Sequence, residues 1–432
     1  MYVRSKVTNF LGYSTTDASA QLIDVLAGGE KSWLVFDQTP FYAEMGGQAG
    51  DSGAARIDGR TIRILNTVND SAGRHLHEVG ERLDASLRGI RAELAVDRTK
   101  RKEICKHHSA VHLLYWALRE TLGSGLWQEG ASITEGGIRF DFSHRTAVSA
   151  AALRNIERMV NEKIADNAGV KTYETGLGEI PEDTIGLPGK EYGDIVRVVD
   201  IGGFSRQLCG GTHVETIGEI GRFKILGESS TAAGTRRVEA VAGRAAYDVA
   251  AAHEEALAKV SARLSAGPRD VVEKLEALFA RNIAMEKQLK TLKGRVIATT
   301  AAELALAAET AGGLKFLSAL VAAESTADLR AIGLRTLAGL GEGVVQLGAV
   351  AGERGMFAAF CSPAAIGLGH GAGALVRSLA EKLGGKGGGD LEFAIGGTFH
   401  VGRLRQAFAP PEPRAGRSAA EASEAASPPN HE

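Results

Sequence analysis

The spacing of hydrophobic and polar residues changes several times along the chain. Over residues 1–96 the apolar residues form short β-type runs, such as SWLVFDQTPF and RTIRILNTV, which glycine, aspartate and asparagine separate. This pattern predicts an N-terminal β-barrel or sandwich. Over residues 97–243 two patterns mix, because RTKRKEICKHHSAVHLLYWALRETLG has a helical apolar period and GGIRFDFSH alternates as a strand does. AALRNIERMVNEKIADNAG predicts a second helix, and we expect an α/β domain over these residues.

Residues 244–308 have a helical pattern with a heptad repeat. Seven apolar positions and one asparagine alternate spacings of four and three, namely Val271, Leu275, Leu278, Asn282, Met285, Leu289, Leu292 and Val296. A lone polar residue in such a seam often sets the register or the partner of a coiled coil. Two interpretations are open: a coiled coil that joins two chains into a homodimer, and a helical hairpin that packs within one chain.

Strand-like and helix-like segments alternate over residues 309–408. KFLSALVAA, GVVQLGAVA and MFAAFCSP are typical of strands and GALVRSLAEKLGG of a helix, which predicts a small α/β domain. Residues 409–432 contain five of the ten prolines and no aromatic residue, so we expect a disordered tail. The predicted fold class is multidomain α+β, with a barrel, an α/β domain, a helical segment and a second α/β domain.

The charge and the cysteine content exclude several classes of protein. Fifty basic and 52 acidic residues leave a net charge of −2, which argues against a uniformly basic surface but not against a local basic patch. Three cysteines are too few for a disulfide framework and indicate a reducing compartment. No apolar run reaches the roughly 20 residues that cross a bilayer, and MYVRSKVTNF lacks the apolar core of a signal peptide. We expect a cytoplasmic protein without a membrane partner.

Two pairs of side chains have the spacing of metal ligands. His108 and His112 are four residues apart on a predicted helix, so both imidazoles leave the same face. Cys209 and His213 are also four residues apart, in LCGGTHVET, where two glycines permit a tight loop. One thiolate and three imidazoles suit the tetrahedral coordination of Zn²⁺. The sequence therefore predicts one zinc ion per chain, held by these four residues.

Two residues next to the predicted ligands on the helix are not expected to bind the metal. His107 lies about 100° around the helix from His108, which favours a position behind the ligands or at the surface. Cys105, one turn before the motif, is predicted to occupy a core position of the helix rather than to bind metal.

The two ligand motifs resemble those of a known family. HSAVHLL together with CGGTHV is similar to the paired zinc motifs in the editing domain of alanyl-tRNA synthetases and of their freestanding relatives, the AlaX editing proteins. TPFYAEMGGQAGDSG resembles the family's barrel signature, RFDFSH and AAGTRRVEAVAG its editing-domain strands, and GGKGGG with EFAIGG the glycine-rich part of its tRNA-binding C-terminal domain. The resemblance extends from about Asn9 to Phe408. Because nothing in the chain resembles the class II aminoacylation domain, we expect a long freestanding editing protein without aminoacylation activity.

The resemblance implies a hydrolase that removes serine or glycine from tRNA for alanine. An alanine site cannot exclude the smaller glycine by size, and rejecting one extra hydroxyl yields only about a hundredfold selectivity, so a second site must hydrolyse the mischarged product. Gln128 matches a glutamine of the family's editing pocket, and Thr212 is a second candidate for pocket polarity, although a loop-capping role fits it equally well. Asp141 is a candidate for orienting a ligating imidazole, with a salt bridge on its strand as the alternative.

The chain departs from the family pattern at three places. It has His107-His108-Ser109 where the family has Asn-His-Thr, and Glu129-Gly130-Ala131 where Lys-Gly-Ser is common. It has Gln207 where an acidic residue often lies two positions before the cysteine. The four ligand positions are intact, so these changes bear on the substrate and the rate rather than on metal binding.

Contacts to tRNA phosphates require cationic side chains. Arg98, Lys100, Arg101, Lys102 and Lys106 cluster directly before His108, where the 3′ end of the tRNA must arrive. A solvated helix end is the alternative interpretation of this cluster. Lys386 belongs to GGKGGG, which is predicted to form a loop whose amides bind phosphate.

Further hypotheses remain open at this point. One is a noncatalytic tRNA-binding protein that retains zinc for folding, which Gln207 and Ala131 favour, and another is the editing half of a split or truncated alanyl-tRNA synthetase with a separate catalytic partner. Editing of threonine tRNA shares the zinc motifs, but the alanine-type C-terminal domain argues against it. The zinc ion could activate water, polarise the ester carbonyl or only shape the pocket.

Overall fold

The computed structural model describes residues 7–409, which form two compact units: one ends at Pro268 and the other begins at Arg269. Both units contain helices and strands, so the predicted multidomain α+β class is confirmed. The predicted tail spans residues 409–432, and all of it except residue 409 lies outside the described residues. None of the helices within residues 7–409 has the length and apolar composition needed to cross a membrane.

A closed β-barrel forms the beginning of the first unit. In chain order the strands are β1 (Asn9–Phe10), β2 (Asp17–Gly28), β3 (Lys31–Phe36), β4 (Gln38–Thr39), β5 (Gly53–Ile57), β6 (Arg60–Asn69), β7 (His75–Val79) and β8 (Arg91–Val96). Six of them close the barrel in the order β2-β3-β7-β6-β5-β8, and β1 pairs in parallel with β4. In β8 every second residue is buried, because successive side chains of a strand point to opposite faces. The barrel confirms the all-β prediction for this part of the chain.

The helix α1 (Arg98–Leu122) is the central element of the rest of the first unit. It begins after Asp97, whose carboxylate accepts the N–H groups of Thr99 and Lys100, and it ends at Gly123. Every residue from His107 to Tyr115 is buried, since strands and a second helix pack around this helix. A helix buried on all sides has a fixed position, which suits it to carry ligands.

Two antiparallel sheets and two further helices surround α1. The elements are β9 (Gln128–Thr134), β10 (Gly137–Ser143), α2 (Ala150–Asp166), β11 (Val170–Gly176), β12 (Ile195–Ile201), β13 (Ser205–Leu208), β14 (Phe223–Ala232), β15 (Thr235–Ala242) and α3 (Gly243–Leu264), with short 3₁₀ helices at Ala85–Leu87, Leu177–Glu179 and Ile217–Ile220. The sheets have the strand orders β14-β15-β10-β9 and β11-β12-β13. The strand predicted from GGIRFDFSH is β10 and the helix predicted from AALRNIERMVNEKIADNAG is α2.

A buried ion pair joins the barrel to α1. Asp51, in the loop between β4 and β5, accepts hydrogen bonds from the Arg101 guanidinium and from the backbone N–H of Tyr42, at 2.7 Å for the latter. The same guanidinium donates to the carbonyls of Gly12 at 2.8 Å and of Pro40 at 2.9 Å. Both charges are buried and paired. Removing either partner would leave the other charge buried and unpaired, which would lower the free energy of unfolding by about 3–5 kcal/mol. The pair therefore holds the β4–β5 loop against α1.

The second unit is a mixed sheet with helices. Its elements are α4 (Val271–Leu306), β16 (Glu309–Ala311), β17 (Leu314–Leu320), α5 (Thr326–Leu340), β18 (Gly343–Ala351), β19 (Arg354–Cys361), α6 (Pro363–Gly367), α7 (Ala372–Leu383), β20 (Lys386–Gly389), β21 (Phe393–Thr398) and α8 (Val401–Ala407). The six strands lie in the order β16-β17-β18-β19-β21-β20, and β17 and β18 are parallel.

Both faces of the sheet in the second unit are covered. In β19 the side chains alternate between two apolar clusters: Ala358 and Phe360 pack with α5, whereas Phe357 and Ala359 pack with α7. The strands predicted from KFLSALVAA, GVVQLGAVA and MFAAFCSP are β17, β18 and β19, and the predicted helix GALVRSLAEKLGG is α7. Burial on both faces explains why these strands read as nearly continuous apolar runs.

The loop predicted at GGKGGG is instead a strand, so that prediction was wrong. Residues 386–389 form β20, which pairs antiparallel with β21 at the edge of the sheet. A Cβ on Gly387 would lie 2.6 Å from Val376 Cγ1 and 2.8 Å from Gly396 Cα, so only glycine lets this strand approach the sheet and α7 so closely. Lys386 therefore lies on an exposed sheet edge and not in an amide-lined loop.

His77 is buried inside the barrel as a neutral imidazole. Its Nδ1 lies 2.9 Å from the carbonyl of Leu34 and its Nε2 lies 2.8 Å from the hydroxyl of Thr39. The rings of Phe36 and Phe41 pack edge-on against it. Burial lowers the pKa of His77 from about 6.5 to about 3.

Loss of this histidine is predicted to weaken the pH dependence of stability. In the unfolded chain His77 binds a proton below about pH 6.5, whereas in the folded barrel it stays neutral down to about pH 3, so acidification favours unfolding across that range. At pH 5 this difference amounts to about 2 kcal/mol. Urea unfolding should therefore show a smaller loss of free energy between pH 7 and pH 5 for His77→Gln than for the wild type. His253→Gln, on the exposed α3, is the control, and equal losses in His77→Gln and the wild type would contradict the assignment.

Candidate metal centre

The four predicted ligands lie together in the first unit. His108 and His112 project from one face of α1, and Cys209 and His213 lie in the loop that follows β13. One ligand atom of each residue lies within 4.8 Å of the others, and Cys209 Sγ is 3.2 Å from His108 Nε2. Two pairs about a hundred residues apart in the chain thus form one cluster.

The chemistry of the cluster fits a zinc ion. His112 Nδ1 and His213 Nε2 are buried and have no hydrogen-bond partner among the described residues, an arrangement that costs free energy unless a metal or a donor satisfies them. Burial lowers the pKa of His112 to about 4 and holds the pKa values of His108 and His213 well below the usual range. The imidazoles are therefore neutral, as metal ligands must be. Three nitrogens and one sulfur are the donor set that Zn²⁺ prefers.

Burial raises the pKa of the thiol ligand, whereas it lowers the pKa values of the imidazoles. It raises the pKa of the Cys209 thiol, while the Gly211 N–H, which donates to Cys209 Sγ at 3.3 Å, and the positive charge of Arg197 lower it. A bound metal would add the largest positive charge near the sulfur and favour the thiolate. The cysteine is therefore the ligand whose protonation depends most on the metal.

The ligand loop around Cys209 is held by hydrogen bonds from both sides. Arg197 donates to the carbonyls of Cys209 and Gly211, each at 2.9 Å, and the hydroxyl of Tyr13 donates to the carbonyl of Gly210 at 2.6 Å. The Arg197 guanidinium also stacks over the Tyr13 ring, 4.1 Å from its centroid. Because three successive carbonyls are bound, the loop has one conformation although it contains two glycines.

Gly211 allows the loop to pass beside a ligand. A Cβ at this position would lie 2.0 Å from Cε1 of the His108 ring, so any larger residue would push the two ligand pairs apart. The glycine in CGGT is thus required by the approach of the loop to α1.

Two residues that the sequence did not single out contact ligands directly. Gln48, from the β4–β5 loop, places Oε1 2.6 Å from His108 Nδ1. Ser109 places its hydroxyl 3.1 Å from His213 Nδ1 and accepts the N–H of Val214 at 3.2 Å. Both residues belong to motifs already quoted, GGQ and HSAVH, but no local spacing assigns them to a ligand.

Two clefts meet at the cluster. The smaller, a cavity of about 80 Å³, is lined by the ligands His108, His112 and Cys209, with Gln128 on β9 and Gln207 on β13. The larger, about 560 Å³, has the following residues in its wall: Arg98, Lys102, Cys105, Lys106, Arg197, Thr212 and His213. The wall of the larger cleft also contains Arg101 and the carboxylates of Asp17, Glu215 and Glu219, so it has five cationic and three acidic side chains. The cluster is therefore accessible from a small cavity and from a wider, charged one.

Thr212 and Asp141 have the hydrogen-bond partners of their alternative predictions, a role within the ligand loop and a salt bridge. The Thr212 hydroxyl accepts hydrogen bonds from Gln48 Nε2 at 2.9 Å and from the Cys105 thiol at 3.2 Å, so it braces the ligand loop and faces the larger cleft. Asp141 binds Arg237 through both oxygens, at 2.6 and 2.7 Å, and contacts no ligand. The hypothesis that Asp141 orients an imidazole was wrong, because its carboxylate is already paired across β10 and β15.

The cationic cluster at the start of α1 divides into paired and unpaired side chains. Arg101 is nearly buried and paired with Asp51, so its position favours a structural role over the predicted phosphate contact, although it also lies in the wall of the larger cleft. Arg98 pairs with Asp17 on the surface, and Lys106 pairs with Glu103 at 2.7 Å. Lys100 donates to the carbonyl of Gly50 at 3.3 Å, whereas Lys102 is exposed and forms no ion pair among the described residues.

The neighbours of the ligands on α1 are core residues. His107 is buried, with Nδ1 2.8 Å from the carbonyl of Thr134, and it does not contact the cluster, so a surface position was the wrong alternative. Cys105 packs with the apolar core around α1, as expected, and lies outside the ligand cluster.

Family models match two segments of the chain, which contain Cys209 and His213 but not His108 and His112. Residues 196–239, which include Cys209 and His213, match the family model described as "Threonyl and Alanyl tRNA synthetase second additional domain". Residues 3–99, which include the barrel, match the model "tRNA synthetases class II (A)".

The similar curated proteins are alanine–tRNA ligases. That of Opitutus terrae is 50% identical over 395 residues, which cover 90% of this chain and 42% of the relative. Those of Acidithiobacillus ferridurans and Bacillus subtilis are 38% and 36% identical over 94% and 93% of this chain, and over 47% of each relative. The chain thus spans less than half the length of these relatives. The crystal structure of the C-Ala domain from Aquifex aeolicus alanyl-tRNA synthetase matches over 23% of this chain and 89% of that domain, at 21% identity and with a TM-score of 0.22.

Removal of the thiol ligand is predicted to remove the metal. The purified wild type should contain one Zn²⁺ per chain, and Cys209→Ala should lose most of it, because no other thiol lies in the cluster. Cys105→Ala, also near Thr212 but outside the cluster, is the matched control and should keep its metal. Metal content by plasma mass spectrometry tests this; a metal-free wild type, or equal zinc in Cys209→Ala, would contradict the four-ligand assignment.

Proposed function

Because the chain belongs to the alanyl-tRNA synthetase family, we propose that it is an editing hydrolase that deacylates tRNA for alanine mischarged with serine or glycine. The observation that carries the proposal is the cluster of three imidazoles and one thiol where two clefts meet. In this proposal the chain acts without the aminoacylation reaction and takes its substrate in trans.

The two clefts match the two parts of such a substrate. A cavity of about 80 Å³ holds several water-sized volumes, which suits a small aminoacyl group and excludes large ones. The wider cleft, with Arg98, Lys102 and Lys106 in its wall, suits the phosphates of the tRNA 3′ end. The ester bond between the two parts would then lie at the ligand cluster.

Selection of serine over alanine is proposed to depend on Gln128. Its amide lines the small cavity and can both donate a hydrogen bond to a hydroxyl and accept one from it. With an alanyl group the amide would stay unpaired in a partly closed cavity, which disfavours that substrate. Thr212, whose hydroxyl is occupied by Gln48 and Cys105, contributes by holding the ligand loop.

The residues around the cluster prepare it for ester hydrolysis. A bound zinc ion would supply a Lewis acid that polarises the ester carbonyl or lowers the pKa of the attacking water. The chain holds the imidazoles in fixed orientations through Gln48 and Ser109 and lines the small cavity with Gly210 and Gly211, whose lack of side chains lets a substrate approach closely. These contacts position the reacting groups before the substrate arrives.

Binding of tRNA is proposed to use both units. In the first unit Lys102 and Arg98 are the best exposed cations at the start of α1, with Lys100 and Lys106 close by in sequence. In the second unit Lys386 lies on the exposed edge strand β20. Arg101 is left out of this set because it is buried.

Noncatalytic tRNA binding is the second candidate function. Gln207 lies in the small cavity, where its amide donates to the carbonyl of His112 at 3.3 Å and to the Ser205 hydroxyl at 3.0 Å, and Ala131 lines the same wall. These are the positions where the family often has an acidic residue and a serine, so they favour reduced catalysis. The editing half of a synthetase with a separate catalytic partner is a third arrangement, which co-purification would reveal.

Single-turnover hydrolysis of Ser-, Gly- and Ala-tRNA for alanine tests the proposed function. The wild type should deacylate the seryl or glycyl substrate and spare the alanyl one, and Cys209→Ala should abolish this activity. Gln128→Leu should slow removal of serine by about 3–10-fold, the value of one neutral hydrogen bond. The exposed neighbour Glu129→Gln is the control. Tight tRNA binding without deacylation of any substrate would instead support the noncatalytic function.

We also propose that the heptad seam of α4 joins two chains. Most of the seam is exposed in the single chain, including Leu278, Met285, Leu289, Leu292 and Val296. A continuous apolar stripe on a long helix marks an interaction surface, and the single Asn282 within it is typical of a register-setting position. A second copy of the chain is the partner that this regular spacing favours.

Charge placed in the seam is predicted to separate the dimer. Leu278→Glu combined with Leu289→Glu should give a monomer in light scattering at concentrations where the wild type is a dimer, because each glutamate would be buried against the partner's apolar seam. Lys287→Glu, on the same helix outside the seam, should leave the dimer intact. A monomeric wild type, or a dimer in the double variant, would remove the coiled-coil interpretation.

A further inference from the structure

We infer that Gln48, a residue of the barrel loop, is a positioning residue of the metal centre: it sets the tautomer of His108 and joins that ligand to the loop carrying Cys209 and His213. The inference rests on the proposed metal site and not on the proposed hydrolysis. It makes the barrel a structural part of the metal centre.

The backbone of the ligand loop determines which way the Gln48 amide faces. The N–H of Thr212 points at one end of the amide, 2.9 Å from Oε1. A backbone N–H can only donate, so the atom that faces it must be the carbonyl oxygen of the side chain. The opposite end, Nε2, then donates to the Thr212 hydroxyl, also at 2.9 Å. Both ends of the amide are therefore bound by the same residue.

The orientation of the amide in turn determines the tautomer of His108. Its Nδ1 lies 2.6 Å from the same Oε1, and two groups facing one oxygen acceptor must both be donors. Nδ1 therefore carries the proton, and the lone pair is on Nε2. This is the nitrogen that lies 3.2 Å from Cys209 Sγ, so the ligand atom faces the cluster.

Burial makes these hydrogen bonds specific. Gln48 is fully buried and the His108 ring nearly so. In the other tautomer, the lone pair of Nδ1 would face the lone pairs of Oε1 without water to separate them, a loss that costs about 1–3 kcal/mol. The metal-binding tautomer of His108 is thus present before any metal arrives.

The barrel delivers Gln48 through a rigid turn. Met45 and Gln48 exchange backbone hydrogen bonds of 3.1 and 3.3 Å around Gly46 and Gly47, both of which have positive φ. A Cβ on Gly47 would lie 2.3 Å from the carbonyl oxygen of Ala131, so the turn packs directly on β9. The Gly47 carbonyl also accepts the N–H of Ile133 at 2.8 Å. A turn held this closely carries the amide to a fixed place.

Two substitutions at Gln48 separate positioning from mere packing. Gln48→Leu keeps the volume but removes the acceptor, so Zn²⁺ affinity should fall about 10–100-fold. Gln48→Glu keeps an acceptor for both His108 and the Thr212 N–H, so its Zn²⁺ affinity should stay close to that of the wild type. Gln38→Leu, which removes a barrel glutamine bonded to the carbonyl of Ser19, is the matched control.

The affinities would be measured by competition with a chelating dye, and the ligand field by the visible spectrum of Co²⁺. Thermal unfolding of each metal-free variant would identify any that fails to fold, and if Gln48→Leu does so, Gln48→Ala, which also removes the acceptor, takes its place. Weaker binding in Gln48→Leu with near-normal binding in Gln48→Glu supports the inference. Equal affinities in all variants, or equal losses in both Gln48 variants, overturn it. A wild type that binds neither metal would overturn the metal site itself, whereas failure of hydrolysis alone would leave the result for Gln48 unaffected.

Discussion

The buried ion pair between Asp51 and Arg101 is the contact on which the arrangement of the first unit depends. It draws the β4–β5 loop of the barrel against α1, and the same guanidinium also binds the carbonyls of Gly12 and Pro40. Neither charge can be solvated unless the ion pair breaks. The loop therefore has no alternative conformation of similar free energy. In the same loop, Gln48 at the end of the turn that begins at Met45 contacts the imidazole of His108. The position of the β4–β5 loop therefore determines the orientation of a predicted metal ligand on α1.

The ligand cluster combines two ways of holding a side chain. His108 and His112 are held by a helix that is buried on all sides, so their spacing follows from helical geometry. Cys209 and His213 lie in a glycine-containing loop that has no such regularity, and hydrogen bonds donated by the side chains of Arg197, Tyr13 and Gln48 hold this loop in place. Glycine brings the loop close to the helix, and side-chain donors then restrict its freedom. This division explains how a small cavity can be lined by three ligands whose positions are fixed.

The similarity to the alanine–tRNA ligases extends over both units, since the matched segments cover about nine-tenths of the chain. The two units differ in the kind of contact that holds their elements together. The barrel and its neighbour are joined by polar contacts around the ligands, whereas the second unit buries a mixed sheet between α5 and α7 mainly through apolar side chains. A polar junction is sensitive to the identity of each residue, while an apolar sandwich tolerates substitution as long as volume is kept. The residues that determine the chemistry are therefore concentrated in the first unit.

The sequence by itself determined those features that depend on local periodicity. Alternation identified the barrel strands, helical spacing identified α1 and α2, and a separation of four residues identified His108 with His112 and Cys209 with His213. The tertiary structure alone decided which polar groups meet: Arg101 with Asp51 across 50 residues, Gln48 with His108 across 60, and Asp141 with Arg237 across 96. It also decided that GGKGGG is an edge strand, because its pairing partner β21 is set by the sheet. Local patterns record which face of an element is buried, but the partner of a buried polar group is set by the packing of distant elements, which no short stretch of sequence contains.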